Sequence, residues 1–221
     1  MPYEIVYEDA DILVVNKPAG ISVHTDAHRS EGTLIQEIEK KYQGAQLAHR
    51  LDKDTSGLII VAKHEKAWEF FKGLFKQRLI TKKYLALVVG EVKKDEGVID
   101  LPIGRSEKDF RKRIALPQGS EDAREAETHF KVMKRFDGFT LLEVSPKTGR
   151  THQIRSHTAS IGHPIVCDTL YGGKKLVCPL GLTRHFLHAY SLEFVLPNGQ
   201  RIRLECDLPK DLESILASLK K

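Results

Sequence analysis

One stretch in the first half of the chain combines residue types that could carry out chemistry. Residues 49–57 read His-Arg-Leu-Asp-Lys-Asp-Thr-Ser-Gly and run directly into the apolar residues 58–62. The last four residues of the stretch are turn formers: the side chains of Asp54, Thr55 and Ser56 can bond to their own backbone, and Gly57 is a common turn residue. The apolar run predicts an interior strand. Asp52 is therefore expected on a short, stiff connection. Because reacting groups are commonly presented from loops on a rigid scaffold, Asp52 is the first candidate for a reacting group.

A second stretch with unusual chemistry covers residues 145–157, which read Ser-Pro-Lys-Thr-Gly-Arg-Thr-His-Gln-Ile-Arg-Ser-His. It places five basic-type side chains and one glutamine in a turn that leads into a helix, predicted to begin near Thr151. Cations, backbone N–H groups and a helix N-terminus together favour an anionic or carboxylate partner. The stretch does not match a phosphate-binding P-loop, which has a different glycine spacing.

Other arrangements of reactive residues fit their spacing less well. Cys178, His185 and His188 suggest a metal site, but the residues after them predict a strand and no carboxylate is suitably spaced. No Gly-x-Ser-x-Gly sequence marks a serine nucleophile. Asp52 with Asp54 resembles the carboxylate pair of a glycosidase, but such a pair must flank its substrate about 5 Å apart. Asp54 is better suited to fixing the turn.

Three histidines lie beside the two stretches, namely His49, His152 and His157. A histidine in such a place could act as a base or could brace a loop through hydrogen bonds. Both interpretations stay open, and no catalytic role is assigned to any of the three.

Apolar spacing predicts the elements that must position these groups. Strands are expected at residues 3–7, 11–16, 58–62, 81–90, 127–136, 139–144, 188–196 and 201–205, and helices from Thr33, over 65–78, from Thr151 and from about Asp211. Asp137-Gly138 is typical of a two-residue hairpin turn. The helix over 65–78 carries an aromatic and apolar stripe at helical spacing, which indicates core packing rather than base stacking. The stripe consists of Trp68, Phe71, Leu74 and Phe75.

Two further features leave alternatives open. Tyr84 lies near the entrance of the strand 81–90, where an edge aromatic with its hydroxyl in water is the simpler role. The segment 97–118 predicts short strands around a long polar connection, and it holds the densest basic cluster. That cluster comprises Arg105, Lys108, Arg111, Lys112 and Arg113. It could grip phosphates, or it could be a solvated face.

Composition is that of an ordinary water-soluble protein. The 221 residues carry a net charge of +5, a modest basic excess that is compatible with a polyanionic partner. No apolar run reaches the roughly 18 residues that a membrane span needs, and acidic residues stand near the N-terminus where a signal peptide would be basic. The three cysteines, odd in number and far apart, argue against a disulfide framework and favour a reducing cytoplasm.

Taken together, the motifs resemble those of the RluA-type pseudouridine synthases, in the same order and over almost the whole chain. A motif of this length with two ordered partners is far more specific than any single short pattern. The matching segments are 49–58, 83–86 and 147–157, supported by 16–20, 162–165, Asp168, 171–172 and 187–189. Among the departures, Cys167 stands where the family commonly has glycine.

The resemblance implies a fold and an activity. The expected fold is α+β, with a mixed, mainly antiparallel central sheet flanked by helices and an active-site cleft between two halves. Residues 1–221 would form a single catalytic domain of two closely packed subdomains, without the S4 RNA-binding domain of many relatives. The expected activity is the isomerisation of uridine in a ribosomal or transfer RNA stem-loop, with no cofactor, no metal, no membrane and no obligatory protein partner.

The resemblance also implies roles for individual residues. Asp52 would be the catalytic aspartate, Tyr84 would stack on the target base and Arg155 would pair with the aspartate, which a nearby cation keeps ionised. Arg50 would help to displace the target nucleotide from its helix, at a cost of a few kcal/mol, and Ile154 would line the pocket. Phosphate contacts are expected from Arg105, Arg111, Lys112 and Lys147.

Two rival functions fit the same residues. One is a module of the same fold that binds and remodels RNA without catalysis, although a pure binder has no need of an aspartate facing a polyanion. The other is a nucleoside or glycoside hydrolase that uses Asp52 and releases free uracil.

Overall fold

The structure, a computed structural model, describes residues 3–24, 32–179 and 181–220. Its strands are β1 (Glu4–Glu8), β2 (Ile12–Lys17), β3 (Gln46–Leu47), β4 (Ser56–Ala62), β5 (Thr81–Val89), β6 (Glu96–Asp100), β7 (Ile103–Arg105), β8 (Arg113–Ala115), β9 (Glu127–Phe136), β10 (Phe139–Pro146), β11 (Leu187–Val195) and β12 (Arg201–Glu205). Its helices are α1 (Leu34–Glu39), α2 (Glu65–Lys76), α3 (Gln153–Ser160) and α4 (Lys210–Ser218), with a 3-10 turn at Gly173–Lys175. The chain divides into two units, residues 1–82 with 189–207 and residues 83–188 with 208–221.

The first unit is built on a sheet in which β1, β2, β4 and β11 are successive neighbours. The β1–β2 and β2–β4 pairs are antiparallel. β3 pairs with β4 and β12 pairs with β11, and both of these pairs are also antiparallel. Every residue of β4 is buried, which indicates that both faces of this strand are covered. The core of the unit comprises Ile12, Val14, Leu58, Ile60, Phe71, Ile80, Leu192, Phe194 and Leu196. Phe71 of the α2 stripe lies in this core and Leu74 and Phe75 pack against it, as the spacing predicted for these three residues.

The second unit contains the antiparallel neighbours β5, β10, β9 and β6, and a separate hairpin of β7 and β8. β9 and β10 form the predicted hairpin, and Gly138 adopts a φ of +74° in its turn, a conformation that glycine reaches without strain. Residues that point to one face of β5 and β10 are buried, including Ala86, Leu142 and Val144. Antiparallel sheets with helices from separate segments make an α+β protein, so the predicted fold class is confirmed.

Local signals set most element boundaries. Thr33 is the N-cap of α1, and it forms a reciprocal capping box with Gln36, which satisfies two backbone donors at the helix start. The helix predicted near Thr151 begins at Gln153, because His152 takes a left-handed φ of +55° and lies outside the helix. The two-residue strand β3 was not predicted, because it is too short to show alternation.

The cysteine count and spacing argued against a disulfide framework, but the structure contains one disulfide. Cys167 and Cys178 are joined by a disulfide, in which Cys206 takes no part. The two are only 11 positions apart, but the glycine-rich segment between them has no periodic pattern from which the approach could be inferred. Among the described helices, none combines the length and the apolar composition needed to cross a bilayer.

Candidate active site

Asp52 lies in a tight turn immediately before the buried strand β4. The backbone N–H of Thr55 donates to the carbonyl oxygen of Asp52 at 3.1 Å, and residues 53–54 form the turn. Asp54 therefore occupies the turn position that the sequence predicted. The side chain of Asp52 is half-buried, whereas those of Arg50 and Lys53 are exposed. A carboxylate in this place is held by its backbone and still accessible to a ligand.

A buried lysine fixes the backbone of this turn. Lys17, at the end of β2, has no exposed surface, and its ammonium donates to the carbonyl oxygens of Pro18, Ile21 and Lys53 at 2.9, 3.0 and 2.9 Å. The N–H of Gly20 donates to the same Lys53 oxygen at 2.9 Å. A buried ammonium is tolerated only when its donors are satisfied, and three carbonyls satisfy them. Residues 16–20 were a supporting motif in the sequence, but this function of Lys17 was not predicted.

A glycine allows the turn to meet its neighbouring strand. Gly57 has a φ of +116°, and a Cβ added there would collide with the carbonyl oxygen of Ala189 in β11 and lie 2.7 Å from its backbone nitrogen. The start of β4 thus packs directly on the backbone of β11. Only glycine permits both this conformation and this approach.

His49 is a brace and not a base. Its Nε2 accepts a hydrogen bond from the N–H of Ile60 at 3.0 Å, and its ring packs on Phe75 with centroids 4.9 Å apart. Burial, and then the nearby charge of Lys82, lower the pKa of His49 to about 3. Burial also lowers the pKa of Lys82, to about 8. A histidine that is neutral and already accepting a backbone hydrogen bond holds the loop, so the bracing interpretation is the one the geometry supports.

In the second unit, Arg155 extends from α3 to a buried aspartate. Its Nε donates to Oδ2 of Asp168 at 2.7 Å and its Nη2 donates to Oδ1 at 2.9 Å. Asp168 is fully buried and the arginine side chain is 9% exposed. Such a two-point pair fixes the plane of the guanidinium as well as its position.

The charge state of Asp168 follows from its partners. Burial by itself raises the pKa of Asp168, but the hydrogen bonds and charge of Arg155 outweigh burial, with smaller contributions from His185 and the N–H of Tyr171. The pKa of this carboxyl therefore lies below its ordinary value. Oδ1 also accepts from the N–H groups of Leu170 and Tyr171, both at 3.1 Å. Sequence reasoning treated Asp168 only as a matching residue and missed its pairing with Arg155.

Tyr171 joins this ion pair to the basic hairpin of β7 and β8. Its ring lies over the guanidinium of Arg155, 5.1 Å from centroid to Cζ. Its hydroxyl accepts from the N–H of Arg113 at 2.8 Å and donates to the Arg113 carbonyl oxygen at 2.9 Å. Because the only hydroxyl proton goes to Arg113, His152 Nδ1, 3.0 Å away, is assigned as a donor to Tyr171. His152 is therefore also a brace.

The loop before α3 is held by buried side chains. Gln153 Oε1 accepts from Thr148 Oγ1 at 2.7 Å and from the N–H of Arg150 at 3.0 Å. His157 is bonded to Thr128 and to the carbonyl of Leu101 at 2.8 and 2.9 Å, and burial lowers its pKa. These contacts explain why the 147–157 motif is rich in polar residues, since most of them order the loop.

Tyr84 and Ile154 are nearly buried in the second unit. Tyr84, in β5 and opposite Val144 of β10, is 8% exposed, and Ile154 in α3 is 6% exposed. The ring of Tyr84 is thus not the solvated aromatic that would be its simplest role.

Most of the predicted phosphate-binding side chains lie at the surface. Arg105, Arg111 and Lys147 are exposed and Lys112 is half-buried. Arg111 is paired with Asp109, Nε to Oδ1 at 2.9 Å and Nη2 to Oδ2 at 2.8 Å. That pairing lowers the pKa of Asp109 to about 2. Arg111 therefore carries a partly neutralised charge.

The candidate residues are divided between the units. Asp52 and Arg50 belong to the first unit, and Tyr84, Ile154 and Arg155 belong to the second. The pairing of Asp52 with Arg155 stays a prediction. The described residues hold no group of three or more His, Cys, Asp or Glu placed to bind a metal.

Comparison with known proteins identifies similar chains. Residues 11–160 match the profile of a family described as RNA pseudouridylate synthase. The chain is 39% identical to the uncharacterized RNA pseudouridine synthase YlyB of Bacillus subtilis, over 100% of this chain and 74% of that protein. It is 38% identical to the ribosomal large subunit pseudouridine synthase C of Pasteurella multocida, over 99% of this chain and 68% of that one. The solved human RNA pseudouridylate synthase domain containing 1 superposes with a TM-score of 0.81, at 30% identity, over 99% of this chain and 88% of the human chain.

Proposed function

The chain belongs to the RNA pseudouridylate synthase family, of the RluA type, and on that premise we propose that it isomerises a uridine of ribosomal RNA with Asp52 as its catalytic aspartate. Members of this family are isomerases that convert uridine in RNA to pseudouridine, and the chain is an enzyme of that class. What remains to be assigned is the residue that carries the reaction and the RNA that receives it.

The observation that carries the assignment of Asp52 is the rigidity of its turn. Lys17 holds the carbonyl of Lys53 at 2.9 Å, the turn closes by the Thr55 to Asp52 hydrogen bond, and Gly57 packs on Ala189. A half-buried carboxylate on so constrained a backbone is preorganised, and preorganisation is how a site lowers a barrier. Asp54, two residues away, contributes to the turn itself.

The reaction needs one carboxylate. The bond between C1′ of the ribose and N1 of uracil must break, the base must turn while it is held, and C5 must bond to C1′. C5 then loses its proton and N1 gains one, so no atom enters or leaves and no redox partner is required. An ionised aspartate can act as a nucleophile or stabilise the positive charge that develops on the sugar.

Arg155 is suited to keep such an aspartate ionised. Two N–H donors of the guanidinium go to Asp168, which fixes its plane. A nearby cation lowers a carboxyl pKa. We assign Arg155 to Asp52 in the assembled site, Tyr84 to stacking on the uracil and Ile154 to the apolar wall beside it.

RNA access requires that the uridine leave its stack. Extrusion costs a few kcal/mol, and stacking on an aromatic ring recovers about 1–3 kcal/mol. Arg50, exposed beside Asp52, is assigned to displacing the nucleotide. Arg105, Arg111, Lys112 and Lys147 are assigned to phosphates, with Arg111 contributing least while it is paired with Asp109.

Ribosomal RNA is the proposed substrate because relatives such as the Pasteurella multocida enzyme are named for the large ribosomal subunit. A transfer RNA stem-loop is the second candidate, and the cytoplasm, where both RNAs are found, is the proposed location. A pseudouridine map of all cellular RNA, with and without this protein, would name the RNA and the position together. Loss of sites confined to transfer RNA would overturn the ribosomal assignment.

The test of the catalytic assignment compares Asp52→Asn with Asp54→Asn. RNA labelled with tritium at C5 of uridine releases tritium on isomerisation. Asp52→Asn is expected to abolish release while RNA binding persists, whereas Asp54→Asn is expected to keep turnover at a level set by its effect on stability. Near-normal turnover by Asp52→Asn would refute the assignment. Release of free uracil by the wild type would establish a hydrolase, and RNA binding without isomerisation of any cellular RNA would establish a binding module.

A further inference from the structure

The hairpin of β7 and β8 presents an aromatic side chain to solvent. Phe110, in the connection between Arg105 and Arg113, is 81% exposed, and no other large apolar side chain among residues 3–24, 32–179 and 181–220 is exposed to that extent. A singly exposed apolar residue is common on protein surfaces. The surroundings of Phe110 are less common, because residues 105–113 contain five cations and two carboxylates.

The connection is ordered by contacts that do not involve the phenyl ring. The N–H of Asp109 donates to Ser106 Oγ at 3.2 Å, the N–H of Lys112 donates to the Asp109 carbonyl at 2.9 Å, and the N–H of Ser106 donates to the Lys112 carbonyl at 3.3 Å. The Asp109–Arg111 pair closes the tip. A loop ordered in this way holds Phe110 outward before any ligand arrives.

The same connection is anchored to the ion pair of the second unit. Nη1 of Arg113 donates to the carbonyl oxygen of Phe110 at 3.2 Å, and the backbone of Arg113 exchanges two hydrogen bonds with the Tyr171 hydroxyl. The Tyr171 ring in turn covers Arg155. Phe110 is thus held by its backbone in a fixed relation to the arginine that we assign to catalysis.

We propose that Phe110 is a base-stacking residue that binds an unpaired nucleotide of the substrate RNA other than the target uridine. The inference rests on the proposed function, because it takes RNA as the ligand. The cations around the ring favour a polyanion over an apolar protein surface, and an aromatic ring among cations is the arrangement that binds single-stranded RNA. Lys108 and Lys112 flank the ring in sequence and would contact the phosphates on either side of the stacked base.

The first experiment measures binding without turnover, so that it does not depend on isomerisation. The probe is a stem-loop RNA with an unpaired uridine-rich loop carrying a single 2-aminopurine, titrated with wild type, Phe110→Ala and Phe110→Trp. Phe110→Ala is expected to raise the Kd by about 5- to 150-fold, the range for loss of one stacked base. It is also expected to reduce the quenching of 2-aminopurine at one loop position, while Phe110→Trp retains both.

A salt titration separates stacking from charge. Phe110→Ala is expected to leave the slope of log Kd against log salt unchanged, whereas Lys112→Gln is expected to reduce that slope by about 1. Met133→Ala, at a side chain that is 53% exposed in β9, is the matched control for loss of a surface apolar group. It should bind as wild type does, and all the variants should melt at the wild-type temperature.

The outcomes are decisive in both directions. Equal Kd values for wild type and Phe110→Ala would overturn the proposal. A protein partner would then be the alternative ligand of the Phe110 ring. Restoration of the affinity by Phe110→Leu as fully as by Phe110→Trp would also overturn it, because leucine offers no stacking face. Tight binding that depends on Phe110, in a protein that isomerises no RNA, would support this inference and refute the proposed function.

Discussion

The guanidinium of Arg155 and the carboxylate of Asp168 form a buried two-point ion pair, with donor to acceptor distances of 2.7 and 2.9 Å. Asp168 has no exposed surface, so its charge is compensated only inside the protein. The pair is a scaffold that sets the plane of an arginine assigned to the reaction. An aspartate 13 positions along the chain from that arginine is thereby a positioning residue for it.

Removing the charge of Asp168 is expected to destabilise the protein strongly. Asp168→Asn removes the charge of one partner of this buried pair, and breaking a buried pair on one side costs about 3–5 kcal/mol of unfolding free energy. Asp211→Asn is the matched control, because Arg184 and Asp211 form a similar two-point pair in which the aspartate is 42% exposed. It should cost less than Asp168→Asn, because water reaches the Asp211 carboxylate. Urea unfolding at neutral pH measures both, and equal losses would contradict the assignment of a buried scaffold.

The stability that Asp168 contributes depends on pH in a definite direction. Its folded-state pKa is lowered, so the contribution is complete above the unfolded value of about 3.9 and is lost as the pH falls through the folded pKa. The wild type should therefore lose more stability than Asp168→Asn on acidification below about pH 4. Unfolding free energies measured across that range test this, and parallel curves for the two proteins would be the contrary result.

His49 predicts a second pH effect, at milder acidity. Its pKa is about 3 in the folded protein against about 6.5 when unfolded, so only the unfolded chain takes up a proton between these values. The contribution of neutral His49 to the unfolding free energy is complete above about pH 6.5. Below that pH it falls by up to about 1.4 kcal/mol per pH unit. In His49→Gln, whose amide oxygen can accept from Ile60, that slope should be smaller. The comparison is best made between pH 7 and 5, above the titration of most carboxyls, and identical slopes would exclude a buried neutral His49.

Lys17 is expected to be essential for the geometry of the Asp52 turn. Lys17→Met keeps the length of the side chain but leaves three carbonyl oxygens without this donor, which should cost at least about 2 kcal/mol. A small displacement of Asp52 should lower kcat by up to about 100-fold. Lys53→Met is the control, because the side chain of Lys53 is exposed while its carbonyl oxygen stays in place. Its stability should change by no more than about 0.5 kcal/mol.

Gly57 offers a test of backbone contact independent of any charge. Gly57→Ala must relieve both a positive φ and a collision with Ala189, and a loss of at least about 3 kcal/mol is expected from the two together. At Gly44, where φ is +79° and nothing lies within 4 Å of an added Cβ, alanine should cost only about 1–2 kcal/mol. Thermal unfolding of the two variants compares them, and equal shifts would mean that β4 and β11 can separate without cost.

Local patterns predicted the elements well because their determinants are local. The strand expected over 127–136 has those bounds in the structure, and the helix expected from Thr33 begins with Thr33 as its cap. The Asp137-Gly138 turn and the buried run before Lys63 also follow from the residues themselves. Asp52 stood out for the same reason, since turn formers and an apolar run meet at that point.

The remaining features depend on which residues meet in three dimensions. The sequence did not reveal Asp168 as a partner of Arg155. The motif 147–157 that contains Arg155 has no carboxylate, and Asp168 lies beyond the turn that follows α3. Lys17 donates to backbone carbonyl oxygens. Every residue has such an oxygen, so residue types do not indicate which ones Lys17 contacts. The Cys167–Cys178 disulfide depends on the path of residues 168–177, most of which form no regular structure.

The contact of Gly57 with Ala189 can form only after both strands have been synthesised. The first unit is interrupted by residues 83–188 and completed only by residues 189–207, so β11 leaves the ribosome well after β4. At about 5–20 residues per second, several seconds separate the emergence of the two strands. The turn that carries Asp52 therefore reaches its final packing only after residues 189–207 have been translated.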